Sequence, residues 1–196
     1  MPTSLLRLIA CSVLLPAAFS AQAQWQLDND ASTLSFVTIK ADHVGEVHTF
    51  DLLTGMIDDE GNAEIAIELI SINTLIPIRD ERMQNMLFET SLFPEANLTA
   101  QLDIDQFAEL EIGRSATATI SFDLSMRDQS NRYQAEVKVT RLADDGIQAT
   151  TLKPVIVVAN SFDLVSGVEA LREVAGLPSI SNAVPVSFTV VFRNTD

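Results

Sequence analysis

The chain has 196 residues, 47% of them hydrophobic, and a formal net charge of −15. This length fits one domain with ample material for a core, and seven glycines and seven prolines are too few for a low-complexity chain. The acidity excludes nucleic acid as a partner, because phosphate binding needs Lys and Arg, and it disfavours an anionic membrane surface.

Residues 1–23 read as an export leader. Arg7 supplies the basic start, positions 8–19 form an apolar run, and Ala21-Gln22-Ala23 offers small residues for cleavage. The run is shorter than the roughly 20 residues a bilayer span takes, so stable membrane insertion is not expected. The mature chain, 24–196, then starts at Gln24 with 11 basic against 27 acidic residues and is periplasmic or secreted. Cys11 is the only cysteine. Leu8-Ile9-Ala10-Cys11 resembles a lipobox, but the apolar run continues to Phe19, which favours simple cleavage. No disulfide then supports the mature fold.

Beyond the leader the chain reads as successive strands. In 33–40, Leu34 and Phe36 share one face, with Ser35, Val37 and Ile39 on the other. The polar stretch 58–62 turns into a half-buried strand over 62–72, with Ala63, Ile65, Ile67 and Leu69 on one parity. Segments 98–107, 116–126 and 133–142 repeat the alternation. Asp144-Asp145-Gly146 signals a hairpin, and 146–160 and 185–193 complete the series. Two segments break the rhythm. Positions 79–89 place Met83, Met86 and Leu87 at helical spacing. Positions 167–176 form a short amphipathic helix between glycines, read as a cap over one barrel end or as a face for a membrane or partner. Many short strands at regular spacing predict an all-β fold, a barrel or a sandwich, and their length, with one or two short helices in a single domain, favours the barrel.

Catalytic patterns are weak. His43 and His48, beside Asp42, Glu46 and Asp51, are the only histidines, and their spacing puts them on opposite faces of an extended chain. No Gly-x-Ser-x-Gly elbow and no glycine-rich phosphate loop occurs. Neither an enzyme nor a metal or cofactor site is expected.

The ordered motifs carry a resemblance. Trp25-Gln26-Leu27-Asp28 is followed by Ser32-Thr33-Leu34-Ser35-Phe36 and by Phe50-Asp51-Leu52-Leu53-Thr54-Gly55-Met56-Ile57. Then come Ser71-Ile72-Asn73-Thr74, Arg79-Asp80, Leu87-Phe88 and Phe93-Pro94, with Leu124-Ser125-Met126 and Ser161-Phe162-Asp163-Leu164 later. From Trp25 to Phe192 this resembles the YceI-like family of small secreted barrels that hold long isoprenoid lipids, which implies a single antiparallel lipocalin-like barrel of about eight strands. The chain departs from the family pattern at Ala31, His48, Arg82 and Ala159, and it has Asp128 and Asp163 where glycine is usual.

The resemblance implies non-covalent binding of a polyprenyl chain or isoprenoid quinone inside the barrel. Leu34, Phe36, Phe50, Leu69, Leu87, Phe88, Phe93, Phe122, Leu124 and Phe162 are the expected lining, or else simply core. Arg79 either meets a headgroup at the mouth or fixes its loop together with Asp80. The alternative is a packed barrel serving as a structural or protein-interaction module. A homodimer stays open.

Overall fold

In the computed structural model residues 23–195 are described, except positions 42 and 144. The expected leader lies outside the described residues up to position 22, and so do Cys11, Asp42 of the histidine cluster and Asp144 of the predicted hairpin.

Twelve strands form one sheet: β1 (Ala23–Leu27), β2 (Thr33–Lys40), β3 (Val44–Phe50), β4 (Leu53–Asp58), β5 (Asn62–Glu68), β6 (Ile72–Asn73), β7 (Glu95–Gln101), β8 (Ser115–Met126), β9 (Gln129–Arg141), β10 (Gly146–Thr151), β11 (Val155–Val158) and β12 (Ala183–Asn194). A ring of eight, β1-β4-β5-β7-β8-β9-β10-β12, closes where Trp25 of β1 pairs with Asn194 of β12. All the pairings are antiparallel. The other four strands continue the same ribbons past bends: β2 follows β1 along β12, β3 pairs β2 and β6, and β11 follows β10 along β12. The antiparallel barrel that the strand pattern favours and the family resemblance implies is the fold observed, with eight strands in its ring.

The bends are local chemistry. Asp28 accepts a hydrogen bond from the Ala31 amide at 3.2 Å and caps the turn Asn29–Ala31 between β1 and β2. Across the barrel wall, Asn29 Oδ1 accepts from the Leu53 amide at 2.7 Å and Nδ2 donates to the Asp51 carbonyl at 3.1 Å. The two neighbouring bends are thereby tied to each other.

Two sequence expectations are corrected. The strand expected over 62–72 stops at Glu68, where Leu69–Ser71 makes a 3-10 turn before β6. The strand expected over 98–107 ends at Gln101, and Asp105–Ala108 forms a short helix, α2, that puts Phe107 into the core. In both places apolar residues at alternate positions point inward from a turn, so their parity looks like a strand. The expected helices are present. Pro77–Arg82 forms α1, with Pro77 at its start where no amide donor is needed. It runs on as a π-helical segment, Met83–Phe88. The amphipathic stretch becomes α3, Val165–Val174.

The barrel interior is of two kinds. Trp25, Ile57, Ala63, Phe107, Val137, Val139 and Phe192 are buried and fill one end. At the other end α1, the π-helical segment and α3 lie across the opening, above an interior that side chains do not fill.

Candidate functional site: an apolar cavity beneath the helices

A cavity of about 350 Å³ occupies this end, within the usual range for small-molecule sites. Its walls come from inward positions of β2, β3, β7, β8, β11 and β12, and its roof from α1, the π-helical segment and α3. Leu34, Phe36, Phe50, Leu69, Leu87, Phe88, Phe122 and Leu124 line it, and so does Arg79. The rings of Phe36 and Phe50 stack at 5.4 Å between centroids, and Phe88 meets Phe50 edge-on at 5.7 Å. α3 contributes Val168, Leu171 and Val174, with Leu164 at its N-cap, so it caps the end as one reading of its amphipathic pattern had it.

Phe93 and Phe162 do not line the cavity, and this corrects their expected place. Phe93 lies under the Arg127 guanidinium, 4.8 Å from its ring centroid. Phe162 is completely buried and stacks on Tyr133 at 6.4 Å. Tyr133 in turn stacks on Phe122 at 5.9 Å, so Phe162 stands one ring behind the wall. Burial pushes the Tyr133 hydroxyl up, partly offset by its hydrogen bond with Ser161.

One side of the mouth is polar. Arg79 Nη1 donates to Glu46 Oε2 at 2.7 Å, and Lys40 Nζ approaches the same oxygen at 2.6 Å. Arg79 Nη2 donates to the Thr74 carbonyl at 2.6 Å. Asp80 completes the loop: its Oδ1 accepts from the Thr74 amide at 2.8 Å and from the Thr74 hydroxyl at 2.5 Å. The Arg-Asp pair thus fixes its loop, with the arginine doing so from the cavity wall. The Lys40 hydrogen bond holds the Glu46 carboxyl below the usual carboxylate range, with Arg79 adding to it against the opposing effect of burial.

His48 is the buried member of this cluster, at 2% exposure, with Nε2 2.9 Å from the Thr38 hydroxyl and no partner for Nδ1. Burial lowers its pKa from the ordinary 6.5, and the Arg79 charge lowers it further. His43 sits exposed at the β2–β3 turn, away from His48. No group of three metal-binding side chains occurs among the described residues. Thr38, Lys40, Glu46 and His48 were missed as site residues. The signal was there: Thr38 and Lys40 continue the parity of Leu34 and Phe36, and His48 and Glu46 that of Phe50.

Asp128 and Asp163, where the family pattern has glycine, both adopt left-handed backbone, with φ of 59° and 55°. The turns that glycine would ordinarily make are kept, with Asp tolerated there.

The model of the YceI-like domain matches residues 25–192. A polyisoprenoid binding domain from Saccharophagus degradans, implicated in plant cell wall breakdown, is 34% identical, with a TM-score of 0.86 over 88% of this chain and 99% of that one. BcnA of Burkholderia cenocepacia is 14% identical, with a TM-score of 0.62 over 84% of this chain and 98% of that one. The Campylobacter jejuni YCEI protein is 13% identical, with a TM-score of 0.51 over 76% of this chain and 84% of that one. These last two share the fold. No curated protein sequence matches the chain. With the barrel, its inward aromatic set and a domain match over residues 25–192, the chain belongs to the YceI-like family.

Proposed function

We propose that this protein is a non-catalytic carrier that sequesters a long isoprenoid-type lipid, a polyprenyl chain or isoprenoid quinone, with its tail in the barrel cavity. The observation that carries the proposal is the unfilled, phenylalanine- and leucine-lined interior under the helices. Burying apolar surface there would gain about 25 cal/mol per Å². The polyisoprenoid binding described for the relative from Saccharophagus degradans points the same way. Among the polar side chains of the wall, Thr38 pairs with His48, and Lys40 and Arg79 both pair with Glu46. The Thr38–His48 pair also lacks a carboxylate on Nδ1, which a nucleophile–base pair uses to orient its imidazole. The leader expected at 1–23 makes the carrier an exported one.

Native mass spectrometry of the protein purified from its exported fraction tests the reading. The expected result is a bound species that is released on denaturation and extracts as an isoprenoid lipid. Protein that leaves every preparation without lipid, and takes up none from polyprenol- or quinone-loaded vesicles, would overturn it.

A further inference from the structure

The mouth of the cavity carries an apolar rim that the barrel does not use. Leu75 is 86% exposed and Ile76 44%, just before α1, Ile78 in the first turn of α1 is 53% exposed, and Val174 at the end of α3 is 45% exposed. Ile76, Ile78 and Val174 also line the cavity, so each faces the cavity and water at once. Leu75 lies just outside the lining. Its backbone is left-handed, with φ of 61°, a conformation that costs an L-residue roughly 1–2 kcal/mol. The Leu75 amide donates to Asn73 Oδ1 at 3.0 Å, which holds it there. A strained backbone that projects a large apolar side chain into water is a cost without return in a protein that meets only water.

Charge at the same opening runs against the rest of the chain. The chain has 27 acidic against 12 basic residues, yet the cavity lining holds Lys40, Arg79 and Arg82 against the single carboxylate of Glu46. A polyprenyl lipid is nearly insoluble, so its source and destination are membranes. A rim that is apolar at its lip and basic just inside matches the order of a bilayer surface, whose acyl boundary lies beneath a phosphate layer.

We propose that Leu75, Ile76, Ile78 and Val174 form a docking rim for a zwitterionic phospholipid bilayer, through which the cavity exchanges lipid without the lipid crossing water. The proposal rests on the carrier reading for its purpose but not for its measurement. Leu75 makes the contact and Asn73 aims it. Lys40, Arg79 and Arg82 sit at phosphate depth.

Leu75→Asn is the informative variant, because Asn accepts left-handed backbone and carries no apolar surface. Wild type and variant are compared for co-sedimentation with phosphatidylcholine vesicles that contain no isoprenoid, and for the rate of polyprenol transfer between vesicles. Native mass spectrometry compares the lipid each carries after purification. The expected result is roughly tenfold weaker vesicle association and slower transfer for the variant, with unchanged lipid load. Equal association and equal transfer would overturn the rim, as would a Leu75-dependent dimer in gel filtration with no vesicle binding. If neither protein ever carries lipid but wild type still binds vesicles in a Leu75-dependent way, the rim stands and the carrier reading falls.

Discussion

Gly167 of α3 lies so close to Leu87 of the π-helical segment that a Cβ at position 167 would stand 2.8 Å from the Leu87 Cα and 2.7 Å from the Met86 carbonyl oxygen. Both near atoms are backbone, so no side chain can swing aside. The two helical elements that roof the cavity are therefore held at one separation by the absence of a single methyl group. Gly167→Ala is expected to cost about 1–3 kcal/mol, as overpacking does, and to part the roof. Urea unfolding gives the first effect, and faster loss of bound lipid in native mass spectrometry gives the second. An alanine variant as stable as wild type would show that the crossing gives way freely.

Leu98 of β7 faces the barrel interior yet is only half-buried, because what it faces is the cavity. Leu98→Trp should occupy part of the 350 Å³ and displace the ligand while the barrel remains folded. Lipid content should fall several-fold and the unfolding free energy should change by less than about 1.5 kcal/mol, since an open space receives the added ring. Undiminished lipid content in a folded Leu98→Trp protein would place the ligand elsewhere.

His48 links stability to pH. Burial first, then the Arg79 charge, keep its folded pKa below the ordinary 6.5, with Lys40 acting the same way and Glu46 and Asp80 opposing. As pH falls below 6.5 the unfolded chain takes up this proton before the folded one, so stability is full above that value and declines on acidification. Glu46 adds to the decline only lower down. Its folded pKa lies below 4.5, so its contribution is present above 4.5 and is lost as pH drops through the folded value. Urea midpoints at pH 7.5 and 5.5 should therefore fall for wild type and fall less for His48→Gln. Equal slopes would mean that the imidazole is not protected from its proton.

The Arg127-Asp128 turn between β8 and β9 has both residues at positive φ, 50° and 59°, as a two-residue hairpin of the type I′ kind requires. Asp128→Gly should leave stability within roughly 1 kcal/mol, while Asp128→Val should cost about 1–2 kcal/mol because a β-branched residue resists this backbone. Thermal unfolding of the two variants decides it. A harmless valine would mean that the turn relaxes into another form.

The barrel was legible because its inner face is written at alternate positions: Ala116, Ala118, Ile120, Phe122, Leu124 and Met126 all turn inward from β8. The filling of the barrel was not legible, because alternation reports which face a side chain takes and not how far along the axis the interior is packed. Phe122 and Phe162 are the same residue in similar apolar settings. One meets the cavity, while the other is hidden behind Tyr133. Arg79 could not be assigned from sequence between loop and mouth because it belongs to both. Its partner Glu46 is 33 residues away, on strand β3. The bends at Leu69 and Ile104 escaped for a related reason. A turn that keeps apolar residues inward preserves the parity of a strand while ending its hydrogen bonding.

The ring is completed by residues 169 positions apart, Trp25 and Asn194. Every other pairing of the ring joins ribbons that follow one another along the chain, so seven seams can form in sequence as the polypeptide lengthens. The eighth must wait for the final residues, and a loop of that span makes it the slowest contact to find. Until then β1 and β12 each offer an unpaired backbone to any other strand nearby. The last few residues therefore act as a latch. Removing them would unpair β1 from β12 and leave that seam held by β2 alone, on Val186–Thr189, so the barrel would open at one end and offer bare strand edges to its neighbours.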